Sequence, residues 1–484
     1  MSLTRTTSSS HRTDSRADDP AARAVHLITF GCQMNKYDSG LVEGRFRARG
    51  WRVADSVAEA DVVLFNTCSV REHAEERVYS WLGELKAEKQ RRPELVLGVM
   101  GCLAQRAQEE VFRRAGHVDL VVGTRRLQHM PVLVDEVYER RAEPNRGRNT
   151  ANLVLDVEMD DQVAVPRKGE VYTGGLCGYL TVMRGCDLNC TYCIVPKTRG
   201  RVQSQPIPAL VAEAEWMVAQ GARVITLLGQ TIDSYGEDLP IPGPEESPGT
   251  GRKGRPSLAD LLRALNEVEG LVRIRLITLH PSYVSRALAE SIADCNKVER
   301  FLPLPAQSGS DDVLRGMRRG YTTDLYRKRI AILREQVPDI ELGSDWIVGF
   351  PGESDADHGA TEAFLTEVGF VQNYVFKYDP RPETRAYDLA DDVPTPVKKA
   401  RNQALLATAH QVQFGRMQRY VGQLAEVFVE QESEKRPGWL QGRSLHGIPV
   451  SFEGTTDRVG SVVPVRITDS SPFGLAGVES EAGN

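Results

Sequence analysis

No apolar run in the sequence approaches the roughly 20 residues that a helix needs to cross a bilayer. The first 24 residues are rich in Ser, Thr and Arg and contain no apolar stretch. They therefore do not resemble a secretory signal, and we expect residues 1–24 to form a disordered tail. These features predict a cytoplasmic protein with no membrane segment.

The chain has little net charge and few cysteines. The net charge is −6, so no overall field attracts nucleic acid, and any RNA contact must come from local basic groups. Eight cysteines among 484 residues are too few for a disulfide scaffold in a chain without a secretion signal. We expect reduced thiols that are available for metal binding or catalysis.

Residues 25–140 repeat one pattern, an apolar strand-like run that ends in a small residue and a cysteine. The runs are "VHLITFGC", "DVVLFNTC" and "LVLGVMGC", ending at Cys32, Cys68 and Cys102. Helix-like stretches follow them, so we predict an α/β domain with a parallel sheet. Ligands bind at the carboxyl ends of such strands, and we expect the three thiols to converge there. The alternative is three ordinary buried core cysteines.

The rest of the chain divides into three further regions. Residues 141–176 are polar and predict a linker, and residues 177–412 alternate six strand-like runs with helices. That alternation predicts an open or partial (β/α)6 barrel with its functional groups at the strand carboxyl ends. Residues 415–478 contain short strand-like runs and predict a small all-β barrel of OB-like character, a fold that often binds nucleic acid.

Three thiols crowd the stretch "RGCDLNCTYCIVP", where Cys186, Cys190 and Cys193 have C-x3-C-x2-C spacing. A zinc site would need a fourth ligand, for which Cys177 is the nearest further cysteine. Iron–sulfur clusters are also held by clustered cysteines. Three thiolates on a four-iron cluster leave one iron open to another ligand, which is a catalytic arrangement.

This spacing, after the first strand of a β/α barrel, resembles the radical S-adenosylmethionine (SAM) superfamily. The resemblance implies that the open iron of a [4Fe-4S] cluster binds the amino and carboxylate groups of SAM. One electron then cleaves SAM and yields a 5′-deoxyadenosyl radical. Tyr192 occupies the place where that superfamily usually has an aromatic or bulky residue.

Further strings resemble the radical SAM methylthiotransferases, in particular the MiaB type that modifies tRNA: "FGCQMNKYDS", "NTCSVREHAEERVYSWLGELK", "QSGSDDVLRGMRRGYT", "IVGFPGES" and "YDPRPET". The resemblance implies that Cys32, Cys68 and Cys102 bind a second, auxiliary [4Fe-4S] cluster. It also implies a terminal TRAM domain. The implied reaction uses SAM both as methyl donor and as radical source. It adds a methylthio group to N6-isopentenyladenosine at position 37 of tRNA, 3′ of the anticodon.

The resemblance also suggests contacts to SAM at the ends of the barrel strands: Gly229, Gln230, Ser308, Val348 and Gly349. This chain departs from the family pattern as we know it at Thr231, Pro303, Trp346 and Lys377. These departures lie near the predicted SAM pocket and bear on substrate detail.

Basic residues near the cysteine loop and in the terminal barrel are candidates for contacts to RNA phosphates: Lys197, Arg199, Arg201, Arg318, Arg319, Arg381 and Arg443. Solvated surface charge is the alternative for each. We further expect a monomer that receives electrons from a donor such as a flavodoxin-type reductant.

Two other functions stay open at this point. The enzyme could act instead on threonylcarbamoyladenosine in tRNA or on an aspartate of a ribosomal protein. A protein of another class, a non-catalytic RNA-binding protein with structural metal sites, would need closed four-ligand sites. The two sets of three cysteines argue against it.

Overall fold

The computed structural model describes residues 22–69, 72–142, 153–159, 172, 174–243, 245 and 247–480. Most of the predicted tail (1–24) and of the predicted linker (141–176) lies outside these residues. Two compact units are present. The first holds the residues up to Gly175 together with Ile194–Arg201, and the second holds Leu176–Cys193 and the chain from Val202 onward.

The first unit is built on a six-stranded sheet whose strands run in parallel. Every residue of its two central strands, VVLFNT and VLGVMG, is buried, as expected for a parallel sheet that is covered on both faces. The spatial order is β2-β1-β3-β4-β5-β6. The strands are β1 (Ala24–Thr29), β2 (Arg52–Val53), β3 (Val62–Thr67), β4 (Val96–Gly101), β5 (Leu120–Val122) and β6 (Val154–Asp156).

Alternate residues of these strands feed two apolar clusters, one on each face of the sheet. Val63 and Phe65 belong to one cluster, and Val62 and Leu64 belong to the other. The helices of this unit are α1 (Gln33–Arg47), α2 (Glu72–Arg91), α3 (Cys102–Ala107), α4 (Glu109–Arg114), α5 (Met130–Ala142) and α6 (Val195–Arg199). Helix α6 follows the cysteine loop in sequence but packs on α3 within the first unit.

The second unit contains the six predicted barrel strands, and the predicted α/β class is confirmed. They form two parallel three-stranded sheets, β7-β10-β11 and β12-β13-β14. A parallel bridge between Ile274 and Val298 lies at the edge strand of the first sheet. The strands are β7 (Cys177–Thr181), β10 (Val224–Leu228), β11 (Arg273–Leu276), β12 (Phe301–Pro303), β13 (Glu341–Val348) and β14 (Gln372–Lys377).

Helices alternate with these strands, as the sequence predicts. They are α7 (Ile207–Ala219), α8 (Leu258–Asn266), α9 (Arg286–Asp294), α10 (Asp311–Gly316), α11 (Thr323–Gln336), α12 (Asp355–Val368) and α13 (Thr395–Gln418). A short antiparallel ribbon of β8 (Met183–Arg184) and β9 (Gln203–Ser204) flanks the cysteine loop. The loop therefore begins at the end of a strand and is held at its base by backbone pairing.

A closed five-stranded barrel ends the chain, in agreement with the predicted all-β barrel. Its strands are β15 (Leu424–Glu432), β16 (Trp439–Ser444), β17 (Pro449–Glu453), β18 (Val462–Ser471) and β19 (Gly474–Glu479), in the order β15-β16-β17-β19-β18. Alternate apolar residues of these strands fill the interior. The change of sequence pattern near Gly415 falls within α13, and the first barrel strand begins at Leu424. Across the described residues, no helix combines the length and apolar character that a membrane span requires.

Two candidate cysteine sites

The first site lies where three neighbouring strands of the first unit end. Cys32 follows β1, Cys68 follows β3 and Cys102 follows β4, and these strands are adjacent in the sheet. The pairing of Thr67 with Gly101 sets the last two cysteines side by side. The Cys32 thiol also interacts directly with the Cys68 thiol. Cys32 and Cys102 are 70 positions apart in the sequence, and the sheet brings all three thiols together.

Glycines permit this close approach. Gly101 has φ +89°, and a Cβ atom there would lie 2.4 Å from Asn66 Oδ1. At Gly31, with φ +134°, a Cβ atom would lie 2.7 Å from Cys68 Cβ. A larger residue at either position would be strained by its backbone conformation as well as by the contact. The glycines before Cys32 and Cys102 are therefore a condition for bringing the thiols together.

A buried amide pair supports the same site and was not predicted. Asn35 Nδ2 donates to Asn66 Oδ1 at 2.9 Å, and Asn66 Nδ2 donates to the Asn35 carbonyl at 2.8 Å. Both residues are wholly buried. They join the first turn of α1 to the end of β3, so that Cys32 and Cys68 are held in a fixed relation. Their positions beside the cysteines, in "GCQMN" and "FNTC", were the available signal.

A buried ion pair accompanies the first site. Arg199 Nη2 lies 2.8 Å from Asp38 Oδ2, and the two side chains are 4% and 0% exposed. The pKa of the Cys32 thiol is lowered to about 6. Interaction with Cys68 is the largest cause, the Arg199 charge and the backbone N–H groups of Asn35 and Met34 act in the same direction, and burial opposes them. Burial raises the pKa of the Cys102 thiol, and the Arg199 charge opposes that rise. The positive charge and the helix terminus of α1 thus favour thiolate, the form that binds metal.

The second site is the cysteine loop of the second unit. Gly185 N donates to Gln230 Oε1 at 2.6 Å, and Cys193 N donates to the Cys190 carbonyl at 3.2 Å. Thr191 is anchored twice at the carboxyl end of α10, through its backbone N to the Met317 carbonyl at 3.0 Å and through its hydroxyl to the Gly316 carbonyl. These bonds fix the loop at both its start and its end.

Two side chains from other elements reach the sulfur atoms of this loop. Arg319 Nη1 donates to Cys190 Sγ at 3.3 Å, and the Thr231 hydroxyl lies 3.3 Å from Cys186 Sγ. Arg319 also donates to the Tyr192 hydroxyl at 3.4 Å. Burial raises the pKa of the Cys186 thiol, and the bond with Thr231 opposes this rise.

Both sets of thiols suit an iron–sulfur cluster in their donor chemistry. Each set consists of thiols only, from three cysteines at the end of a strand. Within the described ranges, no three His, Cys, Asp or Glu side chains are arranged to hold a single metal ion. Clustered cysteine thiolates are the ligands that iron–sulfur clusters use. Cys177, the fourth ligand of the zinc alternative, is the first residue of β7, nine positions before Cys186.

The predicted SAM contacts lie at strand ends, and each also has a packing role. A Cβ atom at Gly229 would lie 2.6 Å from Met183 Cγ, and one at Gly349 would lie 2.3 Å from Lys398 Cγ. Gln230 accepts from the backbone of the cysteine loop. Ser308 is wholly buried against Thr361, and Val348 is the buried last residue of β13. Their contact with SAM stays a prediction.

Of the unusual residues at this site, Thr231 and Trp346 make specific contacts. Thr231 contacts the Cys186 sulfur, and Trp346 is buried with its indole N–H donating to Asn373 Oδ1 at 2.9 Å. Pro303 ends β12, and Lys377 ends β14 with an exposed side chain.

Burial divides the predicted RNA contacts into two groups. Lys197, Arg201 and Arg318 are exposed, and Arg381 and Arg443 are partly exposed. Arg199 and Arg319 are buried, 4% and 7% exposed, and each lies beside one of the cysteine sites. Their burial corrects the prediction of a phosphate contact for these two, because a guanidinium that reads RNA must face solvent.

A buried carboxyl and a buried imidazole near the second site were not predicted either. Asp233 Oδ2 accepts from the His280 backbone N at 2.8 Å, and burial raises the pKa of Asp233 to about 8. Burial and the nearby Arg319 charge lower the pKa of His280 to about 2. Thr278, two residues before His280, has φ +58°, a rare conformation for a β-branched residue. Asp233 and His280 belong to no recognisable motif, so the sequence did not single them out.

The barrel, the thiol-only loop and the terminal five-stranded barrel define a radical SAM enzyme with a nucleic-acid-binding type of C-terminal domain. The chain matches the profile of the radical SAM superfamily over residues 180–365 and that of the TRAM domain over residues 418–478. Residues 24–123 match a profile described as uncharacterized protein family UPF0004. The superfamily uses SAM and a [4Fe-4S] cluster.

Full-length relatives specify the family further. The chain is 39% identical over 448 residues to a tRNA-2-methylthio-N(6)-dimethylallyladenosine synthase from Syntrophotalea carbinolica, covering 92% of this chain and 97% of the relative. The enzyme of the same name from Stutzerimonas stutzeri is 38% identical, with 94% and 99% covered. The chain belongs to this family of synthases, as the sequence strings predict.

Solved structures share the fold at low identity. The radical SAM methyltransferase TsrM from Kitasatospora setae, with tryptophan substrate and a SAM analogue bound, has a TM-score of 0.52 and 15% identity over 73% of each chain. The cobalamin-dependent SAM radical enzyme OxsB, with aqua-cobalamin and SAM bound, has a TM-score of 0.51 and 12% identity, with 76% of this chain and 55% of that chain covered.

Proposed function

We propose that this protein is a tRNA methylthiotransferase that adds a methylthio group to C2 of N6-isopentenyladenosine at position 37. The observation that carries the proposal is the match to synthases of that name over 97% and 99% of their lengths, in a chain that has both cysteine triads. The substrate nucleoside in those names, N(6)-dimethylallyladenosine, is the same compound as N6-isopentenyladenosine.

Cys186, Cys190 and Cys193 would hold the cluster that binds SAM, and Cys32, Cys68 and Cys102 would hold a second [4Fe-4S] cluster. Bound clusters supply one-electron chemistry, which is required because the C2–H bond of adenine is not acidic enough for a side-chain base. The second cluster is supported by the adjacency of β1, β3 and β4 and by the thiolate-favouring surroundings of Cys32.

The chain's own residues orient these ligands. The Asn35–Asn66 pair and the Arg199–Asp38 ion pair hold the first triad from the side of α1, β3 and α6. Gln230 and Thr191 hold the cysteine loop of the second triad. Met183 packs closely on Gly229, and Lys398 packs closely on Gly349. The contacts of these two glycines with SAM are proposed from the resemblance to the family.

The tRNA would be held by exposed basic groups and by the terminal barrel. Lys197, Arg201 and Arg318 are exposed, and Arg381 and Arg443 are partly exposed. Phosphate contacts of this kind position RNA without reading its sequence. Filter binding of tRNA at several salt concentrations, with each of these residues changed to Gln in turn, tests the contacts. Loss of a phosphate contact should weaken binding and reduce the slope of log affinity against log salt concentration by about 1.

We further propose a cytoplasmic, monomeric enzyme that takes electrons from a flavodoxin-type reductant. The cytoplasmic location is supported by the tRNA substrate that the relatives' names give. Light scattering of the purified protein tests the oligomeric state, and reduction by a flavodoxin system in place of dithionite tests the donor.

The decisive experiment is nucleoside mass spectrometry on tRNA. Protein reconstituted without oxygen is mixed with SAM, a reductant and tRNA that carries N6-isopentenyladenosine. Gain of a methylthio group on that nucleoside is the expected result. Conversion of tRNA carrying threonylcarbamoyladenosine instead, or of a ribosomal protein, would replace the substrate assignment. Protein with zinc and no acid-labile sulfide would contradict the catalytic proposal.

A further inference from the structure

Arg319 is a buried cation that lacks a carboxylate partner. It is 7% exposed, and no Asp or Glu of the described ranges forms an ion pair with it, although other buried arginines, such as Arg199 and Arg401, have one. A buried charge is costly unless it is paired and hydrogen-bonded. The guanidinium therefore requires a negative partner of another kind.

The contacts of Arg319 identify that partner. Its Nε donates to the Tyr321 hydroxyl at 3.2 Å, and its Nη2 donates to the Pro305 carbonyl at 3.4 Å. Both of these acceptors are neutral. Nη1 donates to Cys190 Sγ at 3.3 Å and to the Tyr192 hydroxyl at 3.4 Å. Of all these acceptors, only the sulfur becomes anionic by binding metal.

The backbone commits Arg319 to this position. Helix α10 ends with a bond from Arg319 N to the Leu314 carbonyl at 3.0 Å, and Arg318 has φ +54°. A left-handed conformation costs a non-glycine residue about 1 kcal/mol, and such strain persists only where the surrounding structure maintains it. The turn leaves Arg318 exposed and Arg319 buried, so the two adjacent arginines have different environments.

A second, uncharged donor reaches the same loop. The Thr231 hydroxyl lies 3.3 Å from Cys186 Sγ, and both residues are buried. When Cys186 is a thiolate, only the hydroxyl carries a proton for this bond. Two of the three sulfur atoms of the loop thus accept a hydrogen bond from a side chain that comes from a different element.

We propose that Arg319 tunes the SAM-binding cluster by placing its charge and an N–H donor against the Cys190 thiolate, with Thr231 as a weaker second donor. The inference rests on the proposed function, because it assumes that the loop holds the cluster. Reduction brings one electron, and so one negative charge, into the site from the external donor, without a proton. A nearby positive charge and hydrogen bonds to the sulfurs stabilise that added charge, and burial prevents solvent ions from screening it. Arg319 therefore raises the reduction potential of the cluster and makes it easier to reduce.

The test is an anaerobic redox titration followed by electron paramagnetic resonance. It uses the full chain with Cys32, Cys68 and Cys102 changed to Ala, so that only the cluster of the second site is observed. In that background, Arg319→Gln removes the charge, and Thr231→Val removes the hydroxyl at nearly constant volume. Arg315→Gln is the matched control, because Arg315 is 75% exposed and paired with Asp312.

We expect Arg319→Gln to lower the ratio of reduced to oxidised cluster at a fixed potential at least tenfold, a shift of about 59 mV for a one-electron couple. Thr231→Val should shift the ratio in the same direction by a smaller factor, and Arg315→Gln should leave it unchanged. Arg319→Lys, which keeps the charge, should restore most of the loss. If Arg319 had only a structural role, Arg319→Lys would not restore the reduction potential.

An unchanged potential in Arg319→Gln, with the cluster bound, would overturn the inference and leave the proposed function intact. Should Arg319→Gln fail to hold iron, Thr231→Val decides, and an unchanged potential there would overturn the inference. Absence of any cluster in the parent protein would instead contradict the proposed function.

Discussion

The two cysteine sites bring three thiols together by different means. In the first unit, Cys32, Cys68 and Cys102 come from three separate strand ends, and the order of the sheet makes them neighbours. In the second unit, Cys186, Cys190 and Cys193 belong to one loop. The second site is thus set by local spacing and the first by topology. The first site should therefore depend more strongly on the stability of its domain.

The buried charges of the two sites differ as well. Arg199 beside the first triad is paired with Asp38, so the protein contributes little net charge there. Arg319 beside the second triad has no carboxylate partner among the described residues and contacts Cys190 directly. The difference suggests that the second site is adjusted for accepting electrons, whereas the ion pair of the first serves chiefly to hold α6 against α1.

Removing either triad should have the largest effect. Changing Cys186, Cys190 and Cys193 to Ala is expected to abolish both SAM cleavage and methylthiolation and to remove about half of the iron, because each site is proposed to hold one cluster. Changing Cys32, Cys68 and Cys102 to Ala should also remove half of the iron and abolish methylthiolation, but leave cleavage of SAM to 5′-deoxyadenosine. Iron, sulfide and product analysis distinguish the two. Equal loss of SAM cleavage in both variants would contradict the division of roles.

Breaking the ion pair of the first site should have the next largest effect. Asp38→Asn leaves Arg199 buried without its partner, which costs about 3–5 kcal/mol of unfolding free energy. Denaturant unfolding of the metal-free protein measures this loss. The double variant Asp38→Asn with Arg199→Met should lose less than the single variant, because no unpaired charge remains. A loss below 1 kcal/mol in the single variant would show that water reaches the pair.

Substitutions of glycine should each affect one cysteine site alone, with a smaller loss of stability. Gly101 has φ +89° and Gly185 has φ +79°, so Ala at either position is strained by about 1–3 kcal/mol. We expect Gly101→Ala to weaken iron binding at the first site alone, since a Cβ atom there would meet Asn66 Oδ1. Gly185→Ala should affect the second site alone. Spectra of each variant in the two triple-alanine backgrounds check this assignment.

The smallest loss of stability is expected for Asp233→Asn, which replaces a buried aspartate that contrasts with Asp38. Burial raises the pKa of Asp233 to about 8, above the unfolded value of about 3.9. Its contribution to stability is therefore present in full below the unfolded pKa and is lost as the pH rises through about 8. Asn mimics the neutral acid and does not titrate, so we expect little change near pH 4 and a stabilisation that grows as the pH rises from about 4 to about 8.

Unfolding curves between pH 4 and 9 measure this difference, with Asp38→Asn as the control. In the control, the loss should remain at pH 6, because Asp38 is ion-paired. If Asp233→Asn destabilises the protein equally at all pH values, the aspartate is charged in the folded state.

The sequence by itself determined the classes of element and the cysteine positions. Apolar strand-like runs that end in a small residue and cysteine, each followed by a helix-like stretch, indicated a parallel sheet, because alternating strands and helices pack in that way. The C-x3-C-x2-C spacing identified the second site, because its residues are close in the chain. The short alternating runs of the last region indicated a barrel for the same local reason.

Only the tertiary structure decided which arginine lies beside which cysteine site. "KTRGR" and "RGMRRGY" read equally well as surface charge, but the packing of α6 buries Arg199 against Asp38, and the left-handed turn at Arg318 buries Arg319 against Cys190. The partnership of Asn35 with Asn66 and the environment of Asp233 were decided there too. Burial depends on residues that are distant in sequence, and the electrostatic role of a side chain depends on its burial.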